Sequence, residues 1–520
     1  MMLGIHDGHN SSASLISNRG IEYAISEERF TRRKNQRGFP SNTVDYILKK
    51  AVDRNIDLIT VGGMFRRGGR LRSIKELQKR LNIPILYFHH HLCHAALYKL
   101  SGFKECLVIT IDGGGDALSA TVSIGSREGL EVIAQSDIID SLGDFYASIT
   151  EVLGFKPMED EGKVMSLSSY PGEELDIGVI IDYDSRIKSF KNYLGVVGQE
   201  STKALKRILK GYNIDPESMD FKTKVRVAKY AQRVLEDIVL KMIKDFAEET
   251  GIDKVVFSGG VAQNVKLNRR IGEIYDVFIP PFMGDEGLSV GSSLLIKKDG
   301  IDLKDTYLGY SISDEKVEEL IEKGHLRDYR ITYLEEREIP ETVGNLLLED
   351  KILCICRGRM EFGPRALGNR SIVALPTKEN REKLSRLLKR DSFMPFAPTI
   401  LYEYVEDYLI DPKYSPFMTM VFEVKEDVRE RIEGVVHVDN TTRPQTLKRD
   451  FNRVYYDTIK YIYESIDLPV VLNTSFNIHG EPIVCTELDG IRTFRTVGDA
   501  LLLGNWLIEK KVFKINPSFH

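Results

Sequence analysis

LVITIDGGGDALSATVSI occupies residues 107–124 and MLGIHDGHNSSASLIS residues 2–17, and the two share one pattern: an apolar run, Asp-Gly, small residues, then a second apolar or alternating run. Each reads as strand, tight glycine turn, strand. Their separation of about a hundred residues points to a duplicated α/β unit. Turns of this kind bring backbone N–H groups close to a ligand, and their small side chains let a phosphate approach.

Two further signals fall in the same half. In IDKVVFSGGVAQNVKLNRRI, residues 252–271, a short buried-type strand meets Gly-Gly and then an amphipathic helix, an arrangement that suits an anion or nucleotide. In IPPFMGDEGLSVGSSLL, residues 279–295, a Pro-Pro turn precedes Gly-Asp-Glu-Gly and a small-residue helix. Between these turns and the earlier ones, Thr223 to Thr250 runs without Gly or Pro at helical apolar spacing and predicts a long packing helix. The chain becomes charged and irregular around residues 300–335, so a boundary is expected there, with a first domain over 1–325 and a second over 331–520. The closing stretch GDALLLGNWLIEKKVF, residues 498–513, is expected to be a last helix, packed on the second domain or back on the first.

A chain of 520 residues exceeds what one core supports. Its 42% hydrophobic and 29% charged residues are ordinary globular values. A net charge of -5 argues against a dedicated nucleic-acid binder. The five scattered cysteines fit a reduced compartment, with Cys354 and Cys356 expected as core thiols of a strand. No signal peptide or membrane-spanning run is evident, so a cytoplasmic location is expected and no membrane partner.

Three groups of residues could carry chemistry. FHHHLCHAAL, residues 88–97, places His90 and His94 on one helix face, and Asp112 and Asp285, each beside glycine at the end of an apolar run, could complete a metal site. Two histidines with carboxylate suit Fe2+, Zn or Mn alike; helix-filling histidines and turn aspartates are the other reading. The glycine turns offer Gly114, Asp116, Ser258, Gly259 and Gly260, with Asn264 on the following helix, as nucleotide contacts. Finally, residues 351–400 hold 11 Lys or Arg against 4 Asp or Glu. There Arg359, Arg365, Arg370, Lys389 and Arg390 are interleaved with glycine and proline, which suggests guanidiniums aimed at one phosphate-bearing site rather than a solvated face. Asn473 and Ser475, after the strand-like PVVL, add neutral donors for a carbamoyl-sized group or a ribose, or else simply cap a turn.

The stretches HNSSASL, EERFTRRKN, HHHLCHA, IDGGGD, SGGVAQNVKLN, GDEG, GRMEFGPRALGNRSI, KRDSFMPFAP, HVDNTTRPQ and LNTSFNIHGEPIV, in that order, resemble the O-carbamoyltransferases of the NodU/CmcH family, which act on sugars and sugar-bearing small molecules. The resemblance implies an actin-like (ASKHA, duplicated ribonuclease-H-like) first domain and a YrdC-like α/β second domain. It implies that the second domain converts carbamoyl phosphate and ATP, with Mg2+, to carbamoyl adenylate. The carbamoyl group then passes to a small-molecule hydroxyl at an iron-type centre built from His90, His94, Asp112 and Asp285. By analogy His9 becomes a general base or positioning group, Arg365, Arg370 and Lys389 catalytic residues, and Arg29 and Lys34 contacts to phosphate or acceptor. His6, His89 and His91 fall outside the pattern and are expected to be structural. Where relatives commonly carry His-Asp-Ser, this chain has His9-Asn10-Ser11, which removes an acid at position 10. The acidic balance leads us to expect no nucleic-acid partner, and a homodimer is open. Competing readings are threonylcarbamoyl transfer in tRNA modification and a catalytically silent nucleotide-binding regulator.

Overall fold

The computed structural model describes residues 1–52, 55–65 and 68–511. Its first sheet contains β1 (Met2–His6), β2 (Ser12–Ser17), β3 (Gly20–Ser26), β4 (Leu58–Gly62) and β5 (Ile85–Phe88), in the order β3-β2-β1-β4-β5. β1 pairs antiparallel with β2 and parallel with β4. The second sheet is built from β6 (Glu105–Gly115), β7 (Leu118–Ser126) and β8 (Gly129–Asp137). After a two-stranded ribbon, β9 (Ile181–Asp184) and β10 (Ser189–Asn192), it is completed by β11 (Lys254–Ser258) and β12 (Asp276–Phe278). Read from β8 to β12, the order β8-β7-β6-β11-β12 repeats the first sheet strand for strand, with β6 antiparallel to β7 and parallel to β11. Three antiparallel strands followed by two parallel ones, twice over, are the duplicated ribonuclease-H-like halves of an actin-like fold.

The hydrophobic pattern accounts for the central strands. Leu3 and Ile5 of β1, and Leu107, Ile109 and Ile111 of β6, are wholly buried, as expected where both faces of a sheet are covered. The long helix runs Phe221–Thr250, capped by the Asp220 side chain, which accepts from the Thr223 N–H at 2.8 Å, and ended by Gly251 in the left-handed region. Val227, Ala231, Leu235, Ile238, Met242 and Phe246 form its buried stripe.

The third sheet has eight strands in mixed directions. It contains β13 (Tyr329–Tyr333), β14 (Leu353–Cys356), β15 (Arg370–Ala374), β16 (Ala397–Leu401), β19 (Gln445–Leu447), β20 (Val470–Ser475), β21 (Ala500–Leu503) and β22 (Trp506–Lys510). The order is β13-β22-β21-β14-β15-β20-β16-β19, with β17 (Phe422–Glu423) and β18 (Thr441–Thr442) forming a small ribbon beside it. Cys354 and Cys356 lie in β14 as core thiols, and all five cysteines are free and buried.

One expectation fails here. The last predicted helix is a hairpin: β21 turns at Gly504-Asn505 into β22, and β22 pairs with β13. The segment is therefore part of the third sheet and does not pack back on the first two. Two short apolar runs split by Gly-Asn are a hairpin signal, and Gly504 supplies the positive φ of 58° that the turn needs. Among the described residues no helix is long and apolar enough to cross a membrane.

Candidate functional site

Three polypeptide segments bring the metal-type residues together. The helix His90–Ala95 carries two of them, and its position is fixed from several sides. Its first N–H, that of His90, donates to the Asp116 carboxylate at 2.8 Å, and His91 bonds Thr110 Oγ1 and the Leu118 carbonyl. Asp116 also accepts from the Met64 and Phe65 N–H groups, and with Ala117 it makes the two-residue turn between β6 and β7, both residues at positive φ. Asp112 stands near the end of β6. Asp285 precedes the helix Leu288–Leu294, which runs so close to its neighbours that a Cβ at Gly291 would lie 1.9 Å from the Cys93 carbonyl oxygen. The small side chains read from sequence in this stretch are what allow that approach.

The four groups converge closely. His94 Nε2 lies 3.0 Å from Asp112 Oδ2, 3.3 Å from Asp285 Oδ1 and 3.2 Å from His90 Nε2. His90 Nε2 lies 3.6 Å from Asp112 and 3.5 Å from Asp285. Ligand atoms at about 2.1 Å from one ion sit roughly 3.0–3.5 Å from one another, so this spacing fits a single divalent cation. Charge leads to the same conclusion. Burial alone would lower His94, but the two carboxylates outweigh it and raise it to about 9; a proton there supplies one positive charge where two carboxylates call for two. Asp112, despite burial, is held well below the usual carboxylate range by His90 and His94.

A cavity of about 950 Å³ opens beside this cluster and is lined by residues of both halves of the chain. Its lining includes His90, Asp112, Asp285 and His9, and also Arg365, Arg390 and Arg443. Burial, reinforced for Arg365 by Arg390 and for Arg443 by both others, lowers all three guanidiniums; Arg365 and Arg390 come to about 10. Among the described residues none of the three has a carboxylate partner within ion-pair distance, and the Nε atoms of Arg365 and Arg443 have no hydrogen-bond partner. Three crowded cations, with Glu286 and Asp391 acting on Arg365 and Arg390 only from beyond ion-pair distance, form a site that a polyanion would stabilise. Ser475 and Asn477 line the same cavity as neutral donors.

The remaining expected site residues divide in two. Gly114, Asp116, Gly260 and Asn264 line the cavity, as do Arg29 and Lys34. Gly260 donates its N–H to Asp112 Oδ2 at 3.2 Å, and the Asn264 side chain caps the helix Val265–Ile274. Six others do not reach it. Arg370 is wholly buried and donates to the backbone carbonyls of Cys485, Arg357, Asn369, Tyr310 and Gly358, so it braces the turns around it instead of meeting a substrate. Lys389 points outward from an exposed left-handed turn. Arg359 stacks 4.6 Å above Tyr23 and donates to Glu22 and Leu308 carbonyls. Ser258 anchors the His94 carbonyl, Gly259 packs against Ile111, and Asn473 bonds Thr399 inside the third sheet. Basic composition identified the right segment but could not separate a cavity arginine from one that ties loops together.

Sequence reasoning missed Arg443, although its stretch HVDNTTRPQ stood out, because a single arginine between threonine and proline has no periodic signature. It also missed Glu286, a buried residue beside Asp285 in the cavity lining, whose carboxyl burial raises to about 7. Of the histidines set aside as structural, His91 and His6 each have both ring nitrogens bonded, and His6 also lies 3.9 Å from Asp285.

Comparison with known proteins identifies the family. Residues 67–294 match the family model of the carbamoyltransferase N-terminus and residues 344–510 that of the carbamoyltransferase C-terminus. The chain is 61% identical to the uncharacterized protein MJ1051 of Methanocaldococcus jannaschii over 98% of its own length and 100% of that protein's. It is 30% identical to nodulation protein NolNO of Sinorhizobium fredii, covering 97% of this chain and 79% of that one. Among solved structures, full-length HypF in a phosphate- and nucleotide-bound form is similar at a TM-score of 0.38 and 17% identity, over 56% of this chain and 46% of that one. The chain belongs to the carbamoyltransferase family and is a carbamoyl-transferring enzyme.

Proposed function

We propose that this enzyme is an ATP-dependent O-carbamoyltransferase that makes carbamoyl adenylate at the arginine end of the cavity and delivers the carbamoyl group to a sugar-like or small-molecule hydroxyl beside His90, His94, Asp112 and Asp285. The observation that carries this reading is the single cavity lined by both groups. In this scheme residues 331–520 form a YrdC-like activating domain and residues 1–325 the transferring one.

Activation consumes one water: carbamoyl phosphate gives carbamate and phosphate, and the carbamate oxygen displaces pyrophosphate from the α-phosphorus of Mg-ATP. Arg365, Arg390 and Arg443 hold the phosphoryl oxygens and balance charge on the departing pyrophosphate. The mixed anhydride then crosses the cavity without leaving it. His9, which burial lowers from its ordinary value despite Asp285, is a neutral imidazole at working pH and accepts the proton of the acceptor hydroxyl. AMP leaves as the carbamate ester forms. A divalent ion, with iron favoured and Zn or Mn as the other fits, supplies Lewis acidity at the carbamoyl oxygen when bound. His90, His94, Asp112 and Asp285 are the residues that would hold it.

Two variants separate the half-reactions. Asp285→Asn retains carbamoyl-phosphate-dependent pyrophosphate release and loses transfer to any acceptor in a panel of sugar hydroxyls, whereas Arg365→Ala loses both. Equal loss of pyrophosphate release in the two variants contradicts the division of labour. Release driven by threonine and bicarbonate instead would put tRNA-type threonylcarbamoyl chemistry first.

A further inference from the structure

The cavity that holds the arginines also carries in its wall a histidine whose role the preceding scheme leaves open. His437 opens a tight turn in which its N–H donates to the Thr441 carbonyl and its carbonyl accepts from the Asn440 N–H, each at 2.9 Å. Its Nδ1 lies 3.5 Å from Asp439 Oδ1, and its side chain is only 9% exposed. Nε2 is buried with no hydrogen-bond partner. A histidine serving only as a strut has both nitrogens bonded, as His91 and His6 do. His437 lines the cavity in company with Thr441, Thr442 and Arg443.

The carboxylate behind it is firmly placed. Asp439 accepts from the Thr441 N–H and hydroxyl at 3.2 and 2.6 Å and pairs with Lys266 at 3.3 Å. Lys266 is itself tied to Ser169, and the Tyr170 ring stands edge-on to His437 at 5.9 Å. The imidazole therefore has one orientation. With Nδ1–H facing Asp439, Nε2 is the atom left to meet a ligand.

We propose that His437 is a substrate-contacting residue of the cavity that binds as the imidazolium, Nδ1–H donating to Asp439 as the positioning residue behind it and Nε2–H, its proton taken up with the ligand, donating to a phosphoryl oxygen of the anion held by Arg365, Arg390 and Arg443. The proposal rests on the reading of the arginine site as the carbamoyl phosphate and ATP site. It adds a fourth, directional donor where three guanidiniums supply mainly charge.

The test is calorimetric titration of the full-length protein with carbamoyl phosphate and, separately, inorganic phosphate. Loss of one charge-assisted hydrogen bond predicts that His437→Phe binds both about 10- to 100-fold more weakly than wild type. His437→Gln, which keeps a donor, recovers most of that loss. Asp439→Asn weakens binding when His437 is present and adds nothing in the His437→Phe background. Wild-type affinity in His437→Phe, equal losses in the Phe and Gln variants, or additive losses in the double variant each overturn the proposal. Should His437→Phe not fold, wild-type affinity in Asp439→Asn overturns it equally. If wild type itself binds neither anion, the arginine site has been misread and this proposal falls with it.

Discussion

Replacing Gly115 by alanine should weaken metal binding without unfolding the protein. A Cβ at this position would lie 2.2 Å from His90 Cγ and 2.4 Å from Cδ2 and Nδ1. Ordinary carbon contacts begin near 3.5 Å, so the imidazole must retreat by about 1 Å. A movement of that size disturbs the separations of 3.2, 3.5 and 3.6 Å that place His90 Nε2 among the other ligand atoms. Disturbing a ligand's setting by this much typically costs about 10- to 100-fold in metal affinity. The accompanying overpacking costs about 1–3 kcal/mol of stability, which a chain of this size survives. Gly113 in the same turn is the matched control, because a Cβ there meets nothing within 4 Å. Anaerobic titration with Fe2+, repeated with Zn2+ and Mn2+, should show weakened binding in Gly115→Ala and wild-type binding in Gly113→Ala. Wild-type affinity in Gly115→Ala, or equal losses in both, would refute the assignment of His90 as a ligand.

Three other outcomes follow from the same geometry. Arg443→Gln should raise the stability of the ligand-free protein by on the order of 1 kcal/mol, since it removes one of three crowded cations, while abolishing stabilisation by added carbamoyl phosphate; thermal melts with and without that anion check both halves. Burial, with help from His90 and His94, pushes His91 down to about 3 from its ordinary 6.5. The unfolded chain therefore takes up a proton near pH 6.5 that the folded chain refuses until about pH 3, and stability declines as pH falls through that window by up to about 1.4 kcal/mol per unit. Urea midpoints across this range should fall less steeply in His91→Gln, and an unchanged slope contradicts the assignment. Gly291→Ala, whose Cβ would collide with the Cys93 carbonyl, should cost about 3 kcal/mol or more and lower the thermal midpoint accordingly.

The duplicated strand-turn-strand pattern was legible because β1 and β6 are buried on both faces and their turns must be made of small residues. The metal-type cluster was legible in part. Helical spacing paired His90 with His94, but only the parallel packing of β11 against β6, and of β4 against β1, brings Asp285 and Asp112 to them, and spacing along a chain does not encode that. The arginine segment shows the opposite limit. Arg365 and Arg370 are five residues apart in one motif, yet one lines the cavity and the other donates to five carbonyls. The terminal hairpin was misread because Leu-rich runs suit helix and strand alike, and the weight belonged on Gly504-Asn505 between them.

The central claim is that the arginine end of the cavity activates carbamate as an adenylate. It is tested most directly by separating the nucleotides formed when the purified enzyme meets Mg-ATP and carbamoyl phosphate. The account predicts AMP and pyrophosphate in equal amounts, formed only with carbamoyl phosphate present and lost in Arg365→Ala. Formation of ADP and phosphate, or of AMP at the same rate without carbamoyl phosphate, would contradict it.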